Sequence, residues 1–136
     1  DEFIDMYDVS CGLNPSLQYQ IDSNYLPDGW RSYMARAVKD KFKKPVINAG
    51  NYRDPKVVEK ILESGDVDIV GMGRGLIAEP AWVNKVATGR ECDLRKCISC
   101  NIGCAGNRIG SVVQLTRLYR KAIFIKRLKS TKTAML

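Results

Sequence analysis

Three times in succession the chain follows a short, β-tending apolar run with an amphipathic segment, and this alternation restricts its fold more than any other feature. Residues 3–10 (FIDMYDVS) read as a strand. A polar loop rich in Asn, Ser, Pro and Gly follows, and then WRSYMARAVKDKFKK, with Tyr33, Met34, Ala37, Val38 and Phe42 at helical spacing. Residues 45–50 (PVINAG) read as a buried strand, after which Asp54 is placed to cap a helix with Pro55 at its first position. That helix carries Val57, Val58, Ile61 and Leu62 and is expected to stop at Gly65. Residues 67–73 (VDIVGMG) form the third strand. Glu79 and Pro80 then open a helix through Trp82, Val83 and Val86 that Gly89 ends. Strands separated by helices pair in parallel, because only a crossover returns the chain to the same end of a sheet. The pattern is βαβαβα, part of a doubly wound sheet or of a (β/α)8 barrel. Eight strands and typically about 250 residues close a barrel, so 136 residues carrying three strands make at most a part of one.

Composition excludes several other classes. With 45% hydrophobic and 27% charged residues the chain matches a globular protein and not a disordered one. No apolar run approaches the roughly 18 to 20 residues of a membrane-spanning helix, and no membrane partner is expected. The opening DEFIDMYDVS is acidic and lacks the basic and apolar regions of a secretory signal, so a cytoplasmic location is expected. A start without Met, in strand-like sequence, suggests that something upstream is missing. The net charge of +7 comes from one end. Charges up to Cys104 nearly cancel, whereas eight basic residues and no acid follow it, from Arg108 to Lys132. The body is neutral and the tail basic.

There are five cysteines and no histidine. An odd count without a signal peptide points to a reducing compartment in which clustered thiols bind metal. The lack of histidine removes Ser/His and Cys/His nucleophile pairs and any Cys2His2 finger. Cys92, Cys97, Cys100 and Cys104 lie close together, the last three in a C-x2-C-x3-C spacing.

Two consecutive strands end in glycine-rich sequence, INAGN and GMGRG. Glycine at a strand's C-terminal edge lets backbone N–H groups approach an anion, and a following helix N-terminus adds a favourable dipole. With Arg74 in the second loop, the pair reads as a phosphate clamp in which amides position the group and the guanidinium neutralises it. The plainer alternative is that Gly50, Gly71, Gly73 and Gly75 are only turn residues.

The stretch from PVINAGNYRDP through GMGRGLIAEPAW to RKCISCNIGC closely resembles the end of the flavin barrel in the old yellow enzyme family. The similarity is to its iron-sulfur branch of 2,4-dienoyl-CoA reductase, 2-enoate reductases and NADH oxidase-like flavoenzymes, and it extends from about Phe3 to Gly110. The combination of G-R-x-L-I-A-x-P with C-x-x-C-N-x-x-C carries it. This resemblance implies an α/β fold, a partial (β/α)8 TIM barrel comprising strands six to eight, followed by a Cys-rich cluster loop and a basic tail. The implied division is 1–91 for the C-terminal βα units of the barrel, 92–110 for the iron-sulfur loop and 111–136 for the tail. It implies FMN, with Gly50 and Asn51 in one phosphate loop and Gly73 and Arg74 in the other. It also implies that Cys97, Cys100 and Cys104 are three ligands of a [4Fe-4S] cluster, which needs four sulfur ligands. The implied parent uses NAD(P)H, with FAD in a longer chain, to reduce the activated C=C bond of an unsaturated acid or thioester, and it forms an oligomer.

The family's fourth cysteine would fall near Thr116, and no cysteine follows Cys104. Cys92 is the only nearby substitute, read here as a surface thiol. Cys11 reads as a small residue fitting a tight turn. No catalytic residue is expected, because the family's tyrosine acid and substrate-binding groups belong to earlier strands. Tyr7, Tyr19, Tyr25 and Tyr33 do not replace them. After Gly110 the similarity ends. Leu115, Leu118, Ala122 and Ile125 would share a helix face, but Phe124 falls among the basic residues; a frameshifted or truncated end is the expected origin. The contrasting functional reading is a small metal-binding module with a basic, nucleic-acid-binding tail; against it stand the missing second C-x-x-C and the neutral body, and no nucleic acid partner is expected.

Overall fold

The computed structural model describes residues 2–104 and 123–126. Strands β1 (Tyr7–Val9), β2 (Val46–Ala49) and β3 (Ile69–Met72) form a parallel sheet in that order. Tyr7 lies opposite Val46 and Val9 opposite Asn48, while Asn48 lies opposite Val70. The two-residue period then puts Tyr7, Val9, Val46, Asn48, Val70 and Met72 on one face. Helices cover that face. They are α2 (Ser32–Phe42), α3 (Pro55–Ser64) and α5 (Trp82–Ala87), and Ala35, Val58, Ile61, Leu62 and Trp82 close the core over Val46 and Val70. Val46 and Val70 are fully buried, each contributing about 1.5 kcal/mol or more. The other face carries Asp8, Ile47, Ala49, Ile69 and Gly71, of which Asp8 and Ala49 are exposed.

Local chemistry explains most boundaries. At α3 the Asp54 carboxylate accepts from the Lys56 N–H at 3.0 Å, Pro55 stands in the first turn, and Gly65 ends the helix with φ 74°. All three were expected from sequence. Asp68, just before β3, accepts from the Val46 N–H at 3.0 Å and from Lys39 of α2 at 2.7 Å. That one carboxylate fixes the register between β2, β3 and α2.

Four features differ from the sequence reading. Pairing in the first strand begins only at Tyr7, opposite the start of β2, and leaves Phe3 98% exposed. The inward face of α2 is Ala35 and Val38, whereas Tyr33 and Ala37 face out; Trp30 and Arg31 are held by Asp22 before the helix begins. Two short helices arise in segments read as loops. One is α1 (Leu17–Gln20) and the other is α4 (Arg74–Ala78), which starts directly at the second glycine-rich strand end. Lastly, β4 (Ile123–Lys126) pairs antiparallel with β3, with Gly71 opposite Phe124. The helix face read through Ile125 is thereby corrected: β-branched and aromatic residues in a row favour an extended strand where an open edge offers hydrogen bonds. Leu115, Leu118 and Ala122 lie outside the described residues. No helix among those described is long and apolar enough to cross a membrane.

Candidate functional site

At the C-terminal ends of β2 and β3 lies a cleft of about 250 Å³. The loops after these strands bring Gly50, Asn51, Gly73 and Arg74 to its wall together, with Arg31 from the segment before α2 and Cys97 from the cysteine loop. The four residues that the sequence reading assigned to a clamp thus meet in one cleft; Arg31, Asp22, Ser99 and Asn101 were not anticipated.

Asp22 organises the cleft. It is 3% exposed, and its carboxylate takes the Trp30 indole N–H at 2.8 Å, the Arg31 guanidinium, and the Asn51 main-chain N–H at 3.1 Å. Arg74 approaches the same carboxylate at 3.5 Å. Asn51 has φ 42°, a left-handed conformation in which Asn is several-fold enriched. Its side-chain N–H2 ties down the loop after α1 by donating to the carbonyls of Ser23 at 2.9 Å and Leu26 at 3.0 Å. Its Oδ1 accepts from Arg74 at 3.2 Å and from the Ser99 hydroxyl at 2.8 Å. Arg74 also donates to the Asp22 carbonyl at 2.5 Å and to the Asn101 side-chain oxygen.

Gly50 is required by space. A Cβ there would stand 2.8 Å from Cγ and 2.9 Å from Nε of Arg31. The Arg31 side chain therefore packs directly against the glycine, and its Nε is buried with no partner among the described residues. A buried N–H left unpaired costs about 1–3 kcal/mol.

Beneath the cleft, Tyr52 donates its hydroxyl to Asn48 at 2.6 Å, and Asn48 donates to the Val9 carbonyl at 2.8 Å. Burial pushes the Tyr52 hydroxyl well above the usual tyrosine range, so it stays a neutral donor. Between α4 and α5, Glu79 accepts from Lys85 at 2.6 Å and from the Ala81 and Arg95 N–H groups. The Lys85 hydrogen bond holds the Glu79 carboxyl below its ordinary range. Asp54 is lowered likewise, first by Lys96 at 2.8 Å.

The cysteine loop runs past this site without regular structure. Cys97 is half-buried and its sulfur accepts from the Ser99 N–H at 3.4 Å. Cys92 and Cys100 are exposed, and Cys104 is half-buried. Among the described residues no three metal-ligating side chains are gathered around one point. Cys97, Cys100 and Cys104 are neighbours in sequence without converging as a ligand set in this structure. Cys11 donates its S–H to the Tyr19 carbonyl at 3.3 Å, a local contact in keeping with a turn residue.

A parallel sheet whose two glycine-rich strand ends meet in one arginine-lined cleft defines an α/β enzyme scaffold. The chain belongs to the NADH:flavin oxidoreductase / NADH oxidase family, whose model matches residues 16–93. It is 45% identical over 101 residues to an NADH oxidase of Thermoanaerobacter brockii, covering 74% of this chain and 16% of that protein. It is 35% identical over 101 residues to a metal reductase of Desulforamulus reducens, covering 74% and 15%. Among solved structures it is similar to a 2-naphthoyl-CoA reductase in complex with 2-naphthoyl-CoA, with a TM-score of 0.71 and 31% identity over 77% of this chain and 16% of that one. The chain thus spans about one sixth of the length of the relatives it matches.

The residues present suit the phosphate end of a flavin nucleotide. Gly50 has no room for a side chain, Arg31, Arg53 and Arg74 line the cleft, and the Arg31 Nε is buried with no partner among the described residues. A complete [4Fe-4S] cube does not fit the loop as it stands, because its thiols do not converge and the cube takes four sulfur ligands.

Proposed function

We propose that this chain supplies the FMN-phosphate end of an NAD(P)H-dependent flavin oxidoreductase that reduces activated C=C bonds, with an unsaturated acid or thioester as substrate. In this reading β1, β2 and β3 are strands six to eight of the family's barrel. Residues 1–91 form its last βα units, 92–110 the cysteine loop and 111–136 a basic tail from which β4 returns to the edge of β3. FMN, when bound, supplies the hydride chemistry. The protein groups that would hold it are Gly50 and Asn51 from one strand end, Gly73 and Arg74 from the next, and Arg31 across the cleft, with Asn51 acting by aiming Arg74 through its Oδ1 because its own N–H groups are taken by Asp22, Ser23 and Leu26.

The observation that carries the reading is the meeting of these two strand ends in one cleft lined by Arg31, Arg53 and Arg74. The substrate class is supported by the similarity to proteins named 2-naphthoyl-CoA reductase, cinnamate reductase and NADH:acrylate oxidoreductase. Cys97, Cys100 and Cys104 would contribute three thiolates to an iron-sulfur centre in a longer parent.

Equilibrium titration of FMN against the full chain tests the assignment. Arg74→Ala removes a charge-assisted contact of about 1.5–3 kcal/mol. Affinity is expected to fall roughly 10- to 100-fold; equal binding by the variant would overturn the clamp.

A further inference from the structure

Ser99 and Asn101 flank Cys100, and both adopt left-handed backbone conformations, with φ 49° and 60°. Such angles are uncommon for residues other than glycine, and here they have a consequence. The two side chains turn inward to the clamp while Cys100 between them faces solvent. Ser99 is 3% exposed and donates its hydroxyl to Asn51 Oδ1 at 2.8 Å. Asn101 accepts from Arg74 Nη1 and donates to the Ile21 carbonyl at 3.4 Å and the Asp22 carbonyl at 3.1 Å. Lys96 adds an ion pair to Asp54 at 2.8 Å.

The cysteine loop is therefore fastened to the clamp through the clamp's own working groups. Asn51 Oδ1 is shared between Arg74 and Ser99, and the Arg74 fork is aimed by Asn51 on one nitrogen and Asn101 on the other. If the loop shifts, it withdraws the acceptor that orients Arg74 and the donor that orients Asn51. If an anion draws Arg74 toward itself, Asn101 and the loop behind it must follow or let go. Two segments that bias one shared arrangement are linked, and such linkage is reciprocal.

We propose that Ser99 and Asn101 are positioning residues that couple the cysteine loop to the anion clamp, so that phosphate-end binding and the conformation of residues 94–104 depend on each other. The proposal rests on the clamp reading above and adds a regulation of that site: any event that rearranges the loop, thiol ligation included, changes the hold on the nucleotide phosphate. Loop and clamp are ordered together, so binding at one orders the other.

The test uses the full chain with FMN as probe and two readouts, equilibrium affinity and amide hydrogen exchange. Ser99→Gly and Asn101→Gly remove the side chains at positions whose backbone angles glycine adopts without strain. Each is expected to lower FMN affinity about 5- to 30-fold. In the unaltered chain FMN slows exchange across residues 94–104, and in both variants that slowing disappears while exchange in α3 is unchanged. A merely structural defect would speed exchange in α3 as well. If Arg74→Ala weakens FMN but both glycine variants bind normally, or if FMN leaves exchange of the loop untouched in the unaltered chain, the coupling is wrong and the clamp survives. If the chain does not bind FMN, or Arg74→Ala binds it equally well, the clamp reading fails and the coupling falls with it.

Discussion

The main-chain N–H of Asn51 donates to the carboxylate of Asp22 at 3.1 Å, across 29 positions of sequence. An amide that the family resemblance gives to an anion is thus occupied by an anion of the chain's own. The same carboxylate neutralises Arg31, and both side chains are 4% exposed. The clamp is built around this buried pair, so loss of either partner strands the other.

Asp22→Ala leaves the Arg31 guanidinium buried without a counter-charge, a change that costs about 3–5 kcal/mol. It also releases the Trp30 N–H and the Asn51 N–H. Urea unfolding is expected to show a loss of at least about 3 kcal/mol, a large part of what a domain of this size possesses. A change below about 1 kcal/mol would mean that the pair is solvated and that Asp22 does not organise the site.

The βαβαβα order, the α3 caps and the convergence of Gly50, Asn51, Gly73 and Arg74 were legible because each rests on local signals: apolar period, Pro and Gly placement, and glycine at strand ends. Asp22 and Arg31 were not. They lie in a loop with no periodicity, and their meaning arises only when the chain places them beside Asn51. Ser99 and Asn101 were hidden for another reason: between cysteines they look like spacers. On α2 the expected stripe was right at Val38 and Phe42, but it missed the buried Ala35 and put the exposed Tyr33 and Ala37 inward. The β4 pairing with β3 depends on an edge left open by the rest of the sheet, which no local pattern reports.

Acid should weaken the chain through Glu79 and Asp54. Both carboxyls titrate below their ordinary values of 4.5 and 3.8, chiefly through hydrogen bonds to Lys85 and Lys96 respectively. A group with a depressed folded-state pKa binds more protons when unfolded, so its contribution is present above the unfolded value and is lost as pH falls through the folded one. Melting temperature is therefore expected to decline as pH drops past 4.5 and to keep declining below 3.8. Glu79→Gln lowers stability at neutral pH and flattens the upper part of that decline. Parallel pH profiles for the two proteins would show that Lys85 does not hold Glu79.

The antiparallel β4 covers the edge of β3 that would otherwise present unpaired backbone groups, a site at which strands from other molecules add. Successive N–H groups of a strand point to opposite edges, so proline at both Phe124 and Ile125 removes pairing whichever edge faces β3. The double variant is expected to exchange its Ile69–Met72 amides faster and to associate with rising concentration. Unchanged exchange and a monomeric light-scattering profile would show that β4 does not seal this edge.

Cys97, Cys100 and Cys104 keep a spacing suited to three irons of one cube, but no cysteine follows Cys104, and the described residues hold no gathered ligand set. A cube with one iron lacking a protein sulfur loses that iron or takes a solvent or small-thiol ligand in its place. Anaerobic reconstitution with iron and sulfide should accordingly give fewer than about four irons per chain, with a three-iron EPR signal after mild oxidation. Cys92 is the one thiol that would change this outcome. It lies exposed beside Asp93 in a short 3-10 turn, its S–H 3.6 Å from that carboxylate, in a segment held at Arg95 by Glu79. Cys92→Ser is thus expected to leave iron and sulfide content unchanged. About four irons in the unaltered chain, with a clear drop in the Cys92 variant, would make Cys92 the fourth ligand and require the segment from Glu91 to Leu94 to unfold from its turn when metal binds.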